Sequence, residues 1–267
     1  MFKTALVFIF FITHLYASDL KLSFYDWEGL SRYQSSPSTY FKSLPSTDRI
    51  FLSLNAQELK QIKYSHYEAS KLSDFIQEAK QRKVKVELLI GDPNYIFKQH
   101  FHELEDILAL CSKFDFTRVQ LDIEPSGLKK ELQNLWPKKI VELIIHIHNK
   151  SYLPLSLSIN HQDLTPSLLN QLEQAGLAEV IVMYYTINQK NIIDKMTKTM
   201  SMHPRLNFSL ALSVEPIGIV ERNETFAQFS QEKRLKVWSE IDSTLKKQYN
   251  YNGIVIQSLK YFNKISK

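Results

Sequence analysis

From Leu20 onward, short runs rich in β-branched and aromatic residues alternate with longer stretches whose apolar positions recur at helical spacing. The short runs are Leu20–Tyr25, Arg49–Leu54, Val84–Ile90, Thr117–Ile123, Pro154–Ile159, Glu179–Tyr184, Leu206–Val214 and Gly253–Ser258. The helical stretches between them include Tyr67–Arg82, Gln99–Lys113, Lys129–Lys150, Pro166–Ala175, Gln189–Met200 and Gln228–Gln248. Strands that alternate with helices predict right-handed βαβ units and a parallel sheet. Eight regularly spaced runs favour one closed (β/α)8 TIM barrel, an α/β fold, over an open doubly wound sheet. No glycine-rich phosphate loop follows the first run, which also weighs against a dinucleotide fold.

Two stretches depart from this rhythm. Ser31 to Asp48 is rich in Ser and Pro and poor in helical pattern, so it is expected to form a long active-site loop. After the eighth run only Leu259 to Lys267 remain, too few for a full closing helix. The seam between strands eight and one is therefore expected to be thinly covered or packed against a partner. No repeat, linker or low-complexity tract divides the chain, so residues 18–267 read as one domain.

The first residues have a different pattern. Met1-Phe2-Lys3 is a short basic start, Thr4 to Ile12 is almost wholly apolar, and Ala17 offers a small residue for cleavage. Residues 1–17 thus read as a signal peptide, and the mature chain as secreted or periplasmic. The apolar run is short for a bilayer span, although an uncleaved anchor is the alternative reading. No later segment is long and apolar enough to cross a membrane.

Composition adds a few bounds. At 267 residues and 44% hydrophobic, with only 6 Gly and 9 Pro, the chain can bury a large core. Single α/β barrels of about 250 residues are common. The one cysteine, Cys111, excludes an internal disulfide, and its helical setting suits packing better than nucleophilic chemistry. Removing residues 1–17 would lower the net charge from +5 to +4, a mild balance compatible with anionic wall or capsule polymers. Basic runs with interleaved aromatics, the mark of nucleic-acid binding, are absent.

The most informative segment is Thr117-Arg118-Val119-Gln120-Leu121-Asp122-Ile123-Glu124-Pro125. Its apolar run ends in two carboxylates two residues apart, and proline then stops the strand. Strand side chains alternate faces, so Asp122 and Glu124 point the same way. Their mutual repulsion raises the pKa of at least one, and a proton held near neutral pH is what a general acid needs. A solvated or ion-paired strand end is the bland alternative.

In such barrels chemistry sits at the C-terminal ends of the strands. Those ends carry Asp26 and Trp27, Asn55, Asp92, Asp122 and Glu124, Asn160 and His161, Tyr184 and Tyr185, Glu215, and Gln257. Acids for proton transfer, amides for hydroxyls and flat rings for sugar faces are the makings of a carbohydrate site. Trp27, between Asp26 and Glu28, is the best candidate for sugar stacking, whereas Trp136 and Trp238 suit helix-face packing. Nothing calls for a cofactor or a metal. His146 and His148, like His100 and His102, sit two apart where helical side chains diverge. His161 could complete a metal site with Asp122 and Glu124, but no spacing demands it. A Gly-x-Ser-x-Gly elbow is also missing.

The strand-four motif, together with Val180-Ile181-Val182-Met183-Tyr184-Tyr185, resembles the glycoside hydrolase family 18 barrel of chitinases and related proteins. That family carries Asp-x-x-Asp-x-Asp-x-Glu on strand four and Met-x-Tyr-Asp on strand six. The resemblance puts the family acid at Glu124, its partner aspartate at Asp122 and the tyrosine that holds the reacting acetamido group at Tyr185. The earlier aspartates fall on Thr117 and Gln120, the strand-six aspartate on Thr186 and the strand-eight tryptophan on Gln257. The chain looks closer to bacterial TIM-barrel proteins that share Asp-Ile-Glu-Pro and a strand-seven Val-Glu.

The resemblance implies an exported glycosidase acting on an amino-sugar polysaccharide. Glu124 would protonate the glycosidic oxygen while the substrate's own N-acetyl oxygen attacks, oriented by Asp122 and Tyr185. Glu215, which ends Leu210-Ala211-Leu212-Ser213-Val214-Glu215-Pro216, offers a second scheme as a covalent nucleophile with Glu124 as acid/base. The non-enzymatic alternative is an inactive barrel that binds surface glycan or a protein partner.

Overall fold

The computed structural model describes residues 20–265. Eight parallel strands close into a barrel in chain order: β1 Leu22–Asp26, β2 Thr47–Ser53, β3 Lys85–Ile90, β4 Val119–Leu121, β5 Leu155–Asn160, β6 Glu179–Met183, β7 Asn207–Ser213 and β8 Tyr251–Gln257. The pairing of Leu22 to Phe24 with Ile254 to Ile256 joins the last strand to the first. The (β/α)8 architecture expected from the hydrophobic rhythm is the one found. The expected signal peptide lies outside the described residues. Among those residues, no helix is long and apolar enough to cross a membrane.

Strand alternation sorts every residue into one of two cores. Outward side chains such as Phe24, Ile50, Leu88, Leu121, Val182 and Leu210 pack under the helices. Inward ones such as Tyr25, Phe51, Leu89, Ile181, Met183, Ala211 and Val255 form a separate cluster that fills the barrel. The floor of that interior is ionic. Arg49 grips Glu179 through two hydrogen bonds of 2.8 and 3.1 Å and reaches Glu87 at 3.3 Å, while Arg118 lies 3.2 Å from Glu179. Two cations thus meet two anions, which is how buried charge is tolerated.

The main helices of the outer layer are α1 Gly29–Ser35, α2 Pro37–Tyr40, α3 Ala56–Tyr64, α4 His66–Gln81, α5 Phe101–Cys111, α6 Trp136–His148, α7 Pro166–Gln174, α8 Gln189–Met202, α9 Gln231–Leu245 and α10 Leu259–Ile265. One expectation fails here. The Ser31–Asp48 link is not a long loop: α1, α2 and a 3-10 turn over Phe41–Ser43 fill it. Its aromatics supply the reason, because Tyr33, Tyr40 and Phe41 all pack on Phe75 of α4 at centroid distances of 5.2 to 5.4 Å. The closing seam is covered by a short helix. Seven residues suffice for α10, whose Phe262 meets Phe24 of β1 edge-on at 5.1 Å.

Candidate active site

Strand β4 carries a column of inward polar residues from floor to mouth: Arg118, Gln120, Asp122 and Glu124. The ladder continues past the strand, since the Asp122 amide donates to the Ile90 carbonyl at 2.8 Å. One peptide further, the Trp136 indole of α6 donates to the Ile123 carbonyl at 2.7 Å and fixes the backbone between the two carboxylates. Proline at 125 then opens a 3-10 turn, so Glu124 stands at the rim.

The site's electrostatics follow from this placement. Burial first, then the Glu124 and Glu215 carboxylates, push Asp122 up to about 7, with the Ser158 hydroxyl partly offsetting the rise. Burial, and secondarily the charge of Asp163, raise Glu124. Glu215 is raised by burial and by Glu124, although the Ser213 hydroxyl holds it down in part. The Tyr185 phenol rises well above its ordinary range by burial and by the field of Asp122, Glu124, Glu215 and Glu224. Asp122 thus feels both Glu124 and Glu215, and Tyr185 feels all three carboxylates. None of the three carboxylates has an ion-pair partner among the described residues.

A hydrogen-bonded layer lies beneath. The Gln120 amide donates to Ser158 Oγ at 2.7 Å and to the Leu121 carbonyl at 2.9 Å, and Ser156 Oγ donates to Gln120 Oε1. The Tyr25 hydroxyl also bonds Ser158. The sequence points to Gln120 only as a family position and does not single out Tyr25, Ser156 or Ser158, yet alternation signals the serines: Ser156, Ser158 and Asn160 share the inward face of β5, as Gln120 shares that of Asp122.

Above the carboxylates lies Trp27, 39% exposed. It reaches across to β3, where a Cβ on Gly91 would come within 3.1 Å of the indole. Glycine at that position lets the ring lie close over the backbone. Trp27 also lines a cavity of about 210 Å³ with Glu28, Glu215, Gln257, Ser258, Lys260 and Tyr261.

Several expected site residues are committed elsewhere. Asp26 has the outward parity opposite to Tyr25 and is buried under α1, paired with Arg32 and bonded by Tyr40. Tyr184 likewise faces outward, stacked on His161 at 4.2 Å in the layer beneath the helices. Asn55 caps α3, accepting from the amides of Gln57 and Glu58 at 2.9 and 3.0 Å while Glu58 returns a bond to the Asn55 amide. Asp92 caps the turn at Pro93–Ile96 through the Asn94 amide. Both still border a cavity of about 280 Å³ that Trp27 shares. Asn160 is half-buried, and its side-chain oxygen accepts from the Gln162 amide at 3.0 Å. Among the described residues, no three His, Cys, Asp or Glu side chains are disposed to hold a metal ion.

The barrel places the chain in the (β/α)8 architecture, which solved glycoside hydrolases and a chitinase-like lectin also adopt. A chitinase-like lectin from tamarind aligns with a TM-score of 0.53 at 13% identity, over 92% of this chain and 97% of that one. A thermostable mutant of a xylanase from Cellvibrio japonicus gives 0.58 at 11%, over 91% and 87%. An endo-β-N-acetylglucosaminidase from Cordyceps militaris gives 0.55 at 10%, over 97% and 94%. At such identities the likeness establishes the fold and no activity. No protein-family model matches the chain. In sequence, oxysterol-binding protein homolog 2 of Saccharomyces cerevisiae is 26% identical over 207 residues, and the chain spans 15% of that protein's length. So partial a match assigns no family.

Proposed function

We propose that this chain is a glycoside hydrolase-like protein acting on an amino-sugar polysaccharide, with Glu124 as the acid. The observation that carries the reading is the cluster of Asp122, Glu124, Glu215 and Tyr185 at the barrel mouth, where none of the three carboxylates has an ion-pair partner among the described residues and Lys260 of the adjoining cavity pairs with Glu28. Desolvation raises both Asp122, to about 7, and Glu124, and a carboxyl raised in this way is suited to protonating a glycosidic oxygen.

In the scheme we favour, Glu124 gives its proton to the leaving oxygen as the bond to the anomeric carbon breaks. The carbonyl oxygen of the substrate's N-acetyl group attacks that carbon, held by Asp122 and Tyr185, and water later opens the ring formed while Glu124 takes back a proton. Trp27 supplies a flat apolar face beside the reacting sugar. The nucleophile scheme with Glu215 leaves Asp122, the most deeply perturbed of the three acids, without a task. The reading also has the chain exported, on the pattern of its first 17 residues.

Incubation with N-acetylated amino-sugar oligomers, followed by product analysis, tests the reading. Glu124→Gln keeps the side chain's shape but cannot donate the proton, so turnover should fall about 10²- to 10⁴-fold while binding persists. Unchanged turnover would remove Glu124 from the mechanism. Binding without cleavage by the unaltered protein would favour a lectin-like role, to which the family positions filled by Gln120, Thr186 and Gln257 already lend support.

A further inference from the structure

The cavity of about 210 Å³ at the seam between β8 and β1 shares one residue, Glu215, with the carboxylate cluster. Its walls come from four segments: Trp27 follows β1, Glu215 follows β7, Gln257 ends β8 and Tyr261 lies in the first turn of α10. Each wall is held from outside the cavity. The Val214 amide, next to Glu215, donates to the Gln257 carbonyl at 2.8 Å and joins two of the walls. Gln257 has the same parity as Val255, so its side chain shares the inward face of β8. In α10, Leu259 and Phe262 are buried, and Phe262 packs on Phe24 and Trp238 at centroid distances of 5.1 and 6.4 Å. That anchoring leaves Lys260 and Tyr261 at the rim. Lys260 donates to Glu28 at 2.7 Å across the seam and so ties α10 to the residue after Trp27.

The lining therefore combines two flat rings with an amide and a carboxyl, all but Trp27 half-buried. This chemistry selects its occupant. An acidic ligand would meet Glu215, and the cation that lines the cavity, Lys260, is already paired with Glu28. A wholly apolar ligand would strip Gln257 and Glu215 of water and return no hydrogen bond. A ring with apolar faces and hydroxyls around its edge meets both demands, its faces against Trp27 and Tyr261 and its hydroxyls toward the amide. A neutral pyranose is such a ring.

Resting on the amino-sugar reading above, we propose that this cavity is a second sugar subsite, which takes the neutral unit next to the reacting one. Glu215 is the wall common to both positions, so consecutive sugars of one chain sit on either side of it. The polymer then runs from the acids of β4 toward the β8–β1 seam. Tyr261 becomes a specificity-determining residue: it contacts substrate one unit away from the bond that reacts. The short closing helix α10 thus does more than cover the seam.

The test is titration of the intact protein carrying Glu124→Gln, so that no ligand is consumed, with an N-acetylated amino-sugar tetramer and with the corresponding monosaccharide. Adding Tyr261→Ala should weaken the tetramer about two- to tenfold, the worth of one aromatic face. It should leave the monosaccharide, seated on Asp122 and Tyr185, unchanged. Tyr261→Phe keeps the ring and should keep most of the tetramer's affinity. An undiminished affinity of the tetramer for the Tyr261→Ala protein overturns the inference and leaves the amino-sugar reading standing. Equal losses for tetramer and monosaccharide overturn it too, since they mark a disturbed fold and no separate subsite. A loss as large with Tyr261→Phe overturns the role given to the ring, and tighter binding of a uronic acid tetramer overturns the neutral character of the subsite. Binding of neither amino sugar before Tyr261 is changed overturns the amino-sugar reading itself.

Discussion

At the floor of the barrel, Arg49 and Arg118 meet Glu87 and Glu179 and each charge has an opposite neighbour. At the mouth, along the same β4 column, Asp122 and Glu124 face Glu215 and no such neighbour is found among the described residues. Both groups are removed from water, so desolvation penalises both. They differ in what offsets it. At the floor, pairing holds Glu179 below the usual carboxylate range despite its burial, whereas burial and the Glu179 charge leave Glu87 raised even beside Arg49. At the mouth, burial and repulsion push the acids upward. Charge that is neutralised fixes the shape of the barrel; charge left uncompensated retains protons for chemistry.

Breaking the floor should have the largest effect on stability. Arg49→Met removes the cation between Glu179 and Glu87, leaving both buried with only Arg118 nearby. A loss of about 3 to 5 kcal/mol is expected by urea unfolding, the range for one partner removed from a buried pair. A change below about 1 kcal/mol would mean that the floor is solvated.

Asp122 and Glu179 should also respond to pH in opposite senses. Asp122 is raised in the folded state, so its contribution is fully present below the ordinary aspartate value and is lost as pH rises through about 7. Glu179 is lowered, so its contribution is present above the ordinary glutamate value and is lost as pH falls through its folded value. Asp122→Asn should therefore stabilise the protein at pH 8, by about 4 kcal/mol at most, and have little effect at pH 4. Equal effects at both pH values would contradict the assignment.

The smallest effect is expected at Glu215. If the N-acetyl group is the nucleophile, Glu215→Ala should change turnover by less than about tenfold. A loss of several orders of magnitude, or a covalent sugar trapped on Glu215 and seen by mass spectrometry, would transfer the nucleophile's role to it.

Much of this was legible in the sequence because alternation encodes the barrel directly. Each expected strand is found, with ends shifted by a few residues, and the spacing of Asp122 and Glu124 gives their shared inward face. The same alternation, applied to every strand end, separates Tyr185 from Tyr184 and Trp27 from Asp26. Within a strand, adjacent side chains point to opposite faces. Asn55 and Asp92 were less legible, since a residue that ends a strand and caps the next turn looks polar for either reason. The segment from Ser31 to Asp48 misled through its serines and prolines. Its tertiary contacts, made by Tyr33, Tyr40 and Phe41, outweighed local propensity.

Titration of the side-chain carboxyl carbons of Asp122 and Glu124 by ¹³C NMR tests most directly the claim that the mouth holds uncompensated, interacting acids. Asp122 should titrate near 7, Glu124 should lie above the ordinary glutamate value, and Glu124→Gln should lower Asp122. Titration of both near 4, with Asp122 unaffected by Glu124→Gln, would contradict it.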